Sequence, residues 1–259
     1  MNVLWKKRYG QHLLHDTNII RKFVSALDLT EGKPVIEIGP GSGALTKFLI
    51  NEKADVSVIE IDEQFHDILE DEYSEYDNFK LIKGDILKIS FDDMIRKDQK
   101  VTVTGNLPYN ITSQIFFHLF NWSERISKMV FTIQKEVAQR VVSPVRSKNR
   151  SILSVLCQFY SEPEILFPVS RNCFFPKPKV DSAVVLFTIR QNKHDVNTEK
   201  FLKIVKTCFG KRRKTINNTL SQIEGIDLEN ISKVIDLNKR PEELEIEDFL
   251  RITRNAFSG

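Results

Sequence analysis

Three groups of residues in the first half of the chain have the types and spacing needed to bind a nucleotide. Glycines recur in Glu37–Gly43, at Gly39 and Gly41 among others, and they allow a sharp turn that brings the backbone close to a ligand. Glu60 follows 21 residues after Gly39, and an acid at that spacing can accept hydrogen bonds from both ribose hydroxyls. Asp85 is a third candidate, since its carboxylate could accept a hydrogen bond from an adenine amine.

A second set of residues, Asn106-Leu107-Pro108-Tyr109, resembles the signature of enzymes that methylate an amine conjugated to a planar ring. The amine of adenine shares its lone pair with the ring, and acceptors aimed at its hydrogens favour a localised lone pair. The Asn106 side-chain oxygen and the Leu107 carbonyl can supply two such acceptors. Pro108 has no N–H and a fixed φ, which helps to present that carbonyl. Tyr109 offers a flat face for an extruded base.

The elements that must position these residues are predicted from β-branched runs that alternate with amphipathic stretches. Strands are predicted at Val35–Ile38, Val56–Glu60, Phe79–Lys83, Val101–Thr104 and Met129–Ile133, and helices at Ala44–Ile50, within Glu63–Tyr76, at Thr112–Phe120 and at Lys135–Val142. This order predicts an α/β fold with a mostly parallel sheet and helices on both faces. Glu60 and Asp85 then lie at the carboxyl ends of successive strands, where ligands bind in such sheets. Two later runs, Ile165–Val169 and Ala183–Ile189, are predicted to form an antiparallel edge.

The character of the chain changes after Arg190. Phe201, Ile204, Val205 and Cys208 recur at helical spacing, and a similar pattern returns near the end of the chain. We therefore expect two domains, a Rossmann-like domain over residues 1–190 and a small all-helical domain over residues 191–259.

Composition excludes several classes of protein. With 41% hydrophobic and 28% charged residues in 259, the chain is typical of a globular protein and not of a disordered, collagen-like or coiled-coil chain. The longest apolar run, Ala183–Phe187, is far too short to cross a membrane. The three widely spaced cysteines fit neither a disulfide framework nor a zinc site. We therefore expect a cytoplasmic protein without a metal.

Charge is segregated along the chain. Residues 52–77 are strongly acidic, whereas Lys6–Arg8, the stretch 128–181 and Lys211–Lys214 are basic. This distribution suggests a side that faces a polyanion and permits a nucleic-acid partner.

The glycine turn and the two strand-end acids together resemble class I S-adenosylmethionine-dependent methyltransferases. A nicotinamide-dependent enzyme is the competing interpretation. Such an enzyme would need a pyrophosphate on the glycine turn and a hydride-transfer partner, and no His or Lys stands in a suitable strand-end context.

Longer motifs carry a closer resemblance, which covers nearly the whole chain. They are YGQHLL (9–14), VIEIGPGSG (35–43), VIEID (58–62), GD (84–85), GNLPYNITS (105–113), FFPKPKVDSAVV (174–185), FGKRRKT (209–215) and EDFLRI (247–252). In order and spacing they resemble the KsgA-type ribosomal RNA adenine dimethyltransferases. His12 and Leu13 depart from the Asn and Phe usual in that family, and Arg150-Ser151 replaces its usual Tyr-Gly turn.

The resemblance implies dimethylation, at N6, of two adjacent adenines near the 3′ end of 16S ribosomal RNA in the small subunit. The methyl donor would be S-adenosylmethionine. The implied cofactor-binding residues are His12, Leu14, Gly39, Gly41, Glu60, Asp85 and Asn106. The implied catalytic residues are Asn106, Leu107, Pro108, Tyr109 and Phe174, with Tyr109 and Phe174 stacking on the target adenine.

Lys211, Arg212, Arg213 and Lys214, at the start of a predicted helix, can contact several RNA phosphates. The expected partner is the small ribosomal subunit, and we expect a monomer that does not contact membranes. Two alternatives remain. One is a resistance-type methyltransferase that acts on an adenine of large-subunit RNA. The other is a non-catalytic assembly factor, which would be expected to have lost the cofactor residues.

Overall fold

A seven-stranded, mostly parallel sheet forms the centre of the first part of the protein. The computed structural model describes residues 11–96, 99–190 and 194–256. The strands are β2 (Pro34–Ile38), β3 (Asp55–Glu60), β4 (Phe79–Lys83), β5 (Val101–Asn106), β6 (Ile126–Gln134), β7 (Ser161–Val169) and β9 (Ser182–Ile189). Two further strands of two residues each, β1 (Leu13–Leu14) and β8 (Phe174–Phe175), pair with one another. The predicted α/β class is therefore confirmed.

The order of the strands is β4-β3-β2-β5-β6-β9-β7. The chain builds outward from β2 through β3 to β4, and then returns to the other side of β2 for β5 and β6. The strands from β4 to β6 pair in parallel, and β9 joins β6 antiparallel. The order reverses between β2 and β5, and this switch point is where open α/β sheets bind their ligands.

Helices that connect these strands place their apolar faces on the sheet. Their bounds are α1 (Thr17–Ala26), α2 (Thr46–Asn51), α3 (His66–Tyr73), α4 (Thr112–Phe120) and α5 (Lys135–Val141). Phe23 in α1, Leu27 just after it, Leu49 in α2 and Leu69 in α3 are buried in one hydrophobic cluster with residues of the sheet. Burial of each such side chain contributes roughly 1.5–3 kcal/mol, so the core holds the strand ends in a fixed arrangement.

Contacts divide the chain into two units. The first comprises Met1–Ala138 and Glu162–Ile189, and the second comprises Gln139–Ser161 and Arg190–Gly259. The expected boundary after residue 190 stays a prediction. The contacts add that Gln139–Ser161 groups with the C-terminal helices.

The second unit is helical and has its own core. Its elements are α6 (Ile152–Tyr160), α7 (Thr198–Gly210), α8 (Ile216–Leu220), α9 (Leu228–Ser232) and α10 (Ile246–Asn255). The four residues predicted at helical spacing in α7, from Phe201 to Cys208, are all buried, and Phe201 stacks on Phe159 with ring centroids 4.1 Å apart. The helical C-terminal region is therefore confirmed.

Arg150, the departure from the usual family turn, is buried in this second unit. Its guanidinium donates hydrogen bonds to the carbonyls of Ser143 and Leu244, at 3.1 Å each, and to Gln158 Oε1 at 3.0 Å. Because a buried cation needs such partners, the side chain ties the loop before α6 to the segment before α10.

Within the described ranges, no helix has both the length and the apolar character needed to span a bilayer. The predicted basic cluster Lys6–Arg8 and Tyr9 lie outside the described residues.

Candidate active site

The turn that follows β2 brings the backbone close to the switch point of the sheet. Gly39 and Gly41 have φ of +66° and +56°, a region that side chains other than glycine rarely adopt. A Cβ on Gly41 would lie 2.5 Å from a methyl carbon of Leu13. Glycine at position 41 therefore satisfies both the backbone conformation and the close packing of the N-terminal segment.

Glu60 ends β3 beside this turn. Its carboxylate accepts hydrogen bonds from the N–H of Gly41 (3.0 Å) and the N–H of Asp62 (2.8 Å), and the residue is 4% exposed. Burial raises the pKa of Glu60, while the two backbone N–H groups oppose that shift. Each carboxylate oxygen retains a second lone pair, so the side chain can both hold the glycine turn and accept further hydrogen bonds.

Asn106 ends β5 with its amide in a fixed orientation. Nδ2 donates a hydrogen bond to the backbone carbonyl of His12 at 2.6 Å, so Oδ1 must point away from that carbonyl. Oδ1 is shielded from solvent and pairs with no donor among the residues that the structure describes. Buried acceptors are rarely left unpaired, so this oxygen is available to accept a further hydrogen bond.

The Leu107-Pro108-Tyr109 turn leaves an aromatic face beside Asn106. The Leu107 N–H donates to the Thr132 carbonyl at 3.1 Å, which ties the turn to the sheet. The Tyr109 hydroxyl is 2.7 Å from Ser182 Oγ, and the Tyr109 ring lies 5.3 Å from that of His12, tilted by 31°. Burial raises the pKa of Tyr109, so the ring remains a neutral phenol with a fixed orientation.

One cavity gathers most of the predicted site residues. It is lined by Gln11, His12, Leu13, Gly39, Gly41, Glu60, Ile61, Asn106, Leu107, Pro108 and Tyr109. A neighbouring cavity is lined in part by Leu14, Glu37, Gly39 and Asn106. The predicted glycine turn, strand-end acid and Asn-Leu-Pro-Tyr turn therefore meet at one place, although their roles remain predictions.

Leu14 lines only the neighbouring cavity, and two residues predicted to bind the cofactor or the target adenine, Asp85 and Phe174, line neither. The Asp85 side chain accepts a hydrogen bond from the Leu87 N–H at 3.0 Å and caps the turn after β4. Phe174 is 2% exposed and packs in the hydrophobic cluster of the first unit. The predicted contact of Asp85 with the cofactor and the predicted stacking of Phe174 both stay predictions.

Three residues of the cavity, Gln11, Leu13 and Ile61, were not predicted as site residues. Gln11 Nε2 donates to Asp62 Oδ2 at 2.8 Å, and Gln11 Oε1 is a second shielded oxygen without a donor among the described residues. Ile61 is 43% exposed beside Glu60. Ile61 could have been found from its place directly after a strand-end acid, and Gln11 from its place within the N-terminal motif.

Glu37 lies beneath the glycine turn and is 2% exposed. Its Oε2 accepts a hydrogen bond from the Thr46 hydroxyl at 2.7 Å. Burial, with a smaller contribution from the charge of Glu60, raises the pKa of Glu37 to about 8. The side chain is therefore mostly protonated at neutral pH, and it deprotonates only in mildly alkaline solution.

The predicted RNA-binding residues belong to the second unit. They lie in the turn between α7 and α8, ahead of the helix start, and Lys211, Arg213 and Lys214 are exposed. Arg212 is partly buried, donates to the Ser147 carbonyl at 3.3 Å and lies 3.9 Å from a Glu242 carboxylate oxygen. Three of the four cations are thus exposed to solvent, and Arg212 anchors the turn.

Comparison with known proteins identifies relatives along nearly the full chain. The family profile described as Ribosomal RNA adenine dimethylase matches residues 2–256. The Ribosomal RNA small subunit methyltransferase A of Mesoplasma florum is 41% identical, with 97% of this chain and 98% of the relative aligned. The protein of the same name from Porphyromonas gingivalis is 40% identical, with 98% of each chain aligned.

Two solved structures superpose on nearly the full length of this chain. A dimethyladenosine transferase from Plasmodium falciparum superposes with a TM-score of 0.78 at 26% identity, over 93% of this chain and 96% of that one. The 23S rRNA methyltransferase ErmE superposes with a TM-score of 0.68 at 24% identity, over 94% of this chain and 99% of that one. The likeness to ErmE concerns the fold alone.

Proposed function

Because this chain belongs to the ribosomal RNA adenine dimethylase family, we propose that it dimethylates adenine at N6 in small-subunit ribosomal RNA, with S-adenosylmethionine as the methyl donor. Its targets are two adjacent adenines near the 3′ end of 16S RNA, and its substrate is a late assembly intermediate of the small subunit. It works as a monomer in the cytoplasm. The observation that carries this proposal is the shielded Oδ1 of Asn106, which has no partner within the described part of the chain and lies beside the ring of Tyr109.

The cavity fits the methyl donor by its chemistry. The turn leaves open space beside the backbone at Gly39, Glu60 offers acceptors to ribose hydroxyls, and Asn106 and Gln11 present shielded oxygens. His12 and Leu14 contribute from the N-terminal segment, and Asp85 contributes an acceptor for the adenine amine of the cofactor. When bound, the donor supplies a methyl group on a sulfonium whose leaving group is a neutral thioether, so no strong base is required.

The residues of the chain contribute to the reaction by positioning the target adenine and by polarising its N6 amine. Asn106 Oδ1 and the Leu107 carbonyl accept hydrogen bonds from the two N–H groups of the target adenine, which localises the lone pair on N6. Tyr109 stacks on the extruded base, and Phe174 stacks on the other side once its ring, buried in the hydrophobic cluster, turns outward on RNA binding. Each methylation replaces one N–H by N–CH3 and releases one proton. Preorganised acceptors of this kind contribute roughly 10²–10³ in rate.

RNA is held by the second unit as well. Lys211, Arg213 and Lys214 contact phosphates, and Arg212 supports the turn that carries them through its bonds to Ser147 and Glu242. Residues 191–259 thus serve as the RNA-binding domain. Methyl transfer takes place in the Rossmann-like domain of residues 1–190.

Asn106→Ala tests the central role. With unmodified small subunits and labelled S-adenosylmethionine, we expect this variant to lose methylation by about 10²-fold or more and to bind subunits normally. Asn121→Ala, at the exposed end of α4, is the matched control and should turn over as the parent does. Near-normal turnover by Asn106→Ala would remove Asn106 from the reaction. Binding of the parent protein without any labelling would favour the assembly-factor alternative.

A further inference from the structure

Phe175 is the most exposed of the large hydrophobic side chains in the described ranges of the chain, at 59%. Its neighbour Phe174 is 2% exposed, because successive side chains of a strand point to opposite faces. A single exposed apolar residue is ordinary on a protein surface. The position of Phe175 distinguishes it from the other exposed apolar residues.

Phe175 stands beside the candidate active site. In the short β1–β8 ladder it is directly opposite Leu13, and residues that are directly opposite share one face of a sheet. Leu13 lines the cavity and packs over Gly41. The ring of Phe175 is therefore presented next to the mouth of the cavity.

The segment that carries this ring is tied to the adenine-binding side of the cavity. His12 Nδ1 is 2.6 Å from the Pro176 carbonyl, and the His12 ring lies 5.3 Å from that of Tyr109. The residue after Phe175 is thus linked through one side chain to the ring expected to stack on the target base. His12 departs from the usual family residue. Its ring makes this link, and its backbone carbonyl accepts the hydrogen bond from Asn106 Nδ2.

The residues around Phe175 have the positive charge and the exposed apolar surface that suit a single-stranded nucleic acid. Lys177 and Lys179 follow it on the same exposed segment, and Val180 is 45% exposed. The Asp181 carboxylate accepts a hydrogen bond from the Arg171 N–H at 3.0 Å. An exposed aromatic ring flanked by cations is the combination by which proteins hold unpaired bases and the phosphates between them.

We propose that Phe175 is a second base-stacking position, which holds the nucleotide next to the adenine being methylated. This inference rests on the proposed function, since it requires an RNA strand with one base in the pocket of Asn106 and Tyr109. The neighbouring base, once separated from its extruded partner, stacks on the Phe175 ring, and Lys177 and Lys179 contact the adjoining phosphates. Phe175 thereby helps to select an unpaired strand and to present the two adenines in turn.

The first test compares Phe175→Leu with Phe175→Tyr. Leucine keeps the apolar bulk and removes the flat ring, whereas tyrosine keeps the ring. We expect Phe175→Leu to lower kcat/KM for unmodified small subunits about fivefold or more, since stacking contributes roughly 1–3 kcal/mol per base. The Kd of S-adenosylmethionine should not change, and Phe175→Tyr should restore turnover to within about twofold. Phe117→Leu, the same change at an exposed site on α4, is the control.

The second test needs no methylation. A short single-stranded RNA with 2-aminopurine beside one adenine is titrated with protein at low salt, and anisotropy reports binding while fluorescence reports stacking. We expect the parent protein to quench the probe at saturation and Phe175→Leu to leave it bright. An unquenched probe on bound parent protein, or equal kcat/KM for Phe175→Leu and the parent, would overturn the stacking role. Failure of the proposed function is a separate result, namely no dimethyladenosine from the parent protein.

Discussion

Replacing Glu37 by Gln should change how the stability of the protein depends on pH. The Glu37 carboxyl is 2% exposed and bonded to the Thr46 hydroxyl, and its pKa is raised from 4.5 to about 8. Because the folded-state pKa lies above the unfolded one, this group contributes stability that is fully present below about pH 4.5 and is lost as pH rises through about 8.

The size of that loss follows from the shift. A shift from 4.5 to about 8 corresponds to about 5 kcal/mol in total, of which about 2 kcal/mol is lost between roughly pH 6 and pH 8. Glutamine can still accept the hydrogen bond from Thr46 and carries no charge at any pH. The variant should therefore gain about 2 kcal/mol relative to the parent protein over that interval, or roughly 4–8 °C in Tm.

Thermal unfolding of both proteins, without ligands and from pH 5 to pH 9, measures this difference. Other titrating groups are common to both proteins and cancel in the comparison. Glu52→Gln, a change to an exposed carboxylate just after α2, serves as the matched control. If the parent and Glu37→Gln lose stability with the same slope, Glu37 is ionised at neutral pH and the account of its burial is wrong.

Two further predictions concern ligand binding. Glu60→Gln should weaken binding of S-adenosylmethionine about 10-fold or more and RNA binding much less, because the Glu60 carboxylate lines the cavity proposed to hold the cofactor. The opposite ranking in calorimetry would remove Glu60 from the proposed ribose site. Replacing Lys211, Arg213 and Lys214 together by alanine should make the fall of log K for RNA binding with log salt less steep by about 2. The Kd of S-adenosylmethionine should not change. An equally steep fall would show that these exposed cations do not contact phosphates.

Much of the sheet could be predicted from local patterns. The runs at Phe79–Lys83 and Thr112–Phe120 coincide with β4 and α4, because each lies between clear breaks in hydrophobic periodicity. The glycine turn and Glu60 could be placed together since parallel strands end on one edge of a sheet. The fold and the centre of the site therefore follow from short-range signals combined with one topological rule.

The parts that escaped prediction depend on contacts distant in sequence. The β1–β8 ladder joins Leu13 to Phe175 through strands of only two residues, too short to show any periodicity. The grouping of Gln139–Ser161 with the C-terminal helices could not be predicted from the sequence, because α6 continues the alternation of strands and helices that is found in the first part of the chain. Likewise, no pattern distinguishes buried Phe174 from exposed Phe175 until the ladder assigns each a face.

The most direct test of the proposed function is to identify the methylated product. The protein is incubated with labelled S-adenosylmethionine and with small subunits that lack the modification, and the RNA is then digested and its nucleosides weighed and mapped. The account predicts dimethyladenosine at two adjacent adenines near the 3′ end of the small-subunit RNA. Label that appears only when large-subunit RNA is supplied, or subunits that are bound and remain unlabelled, would contradict it.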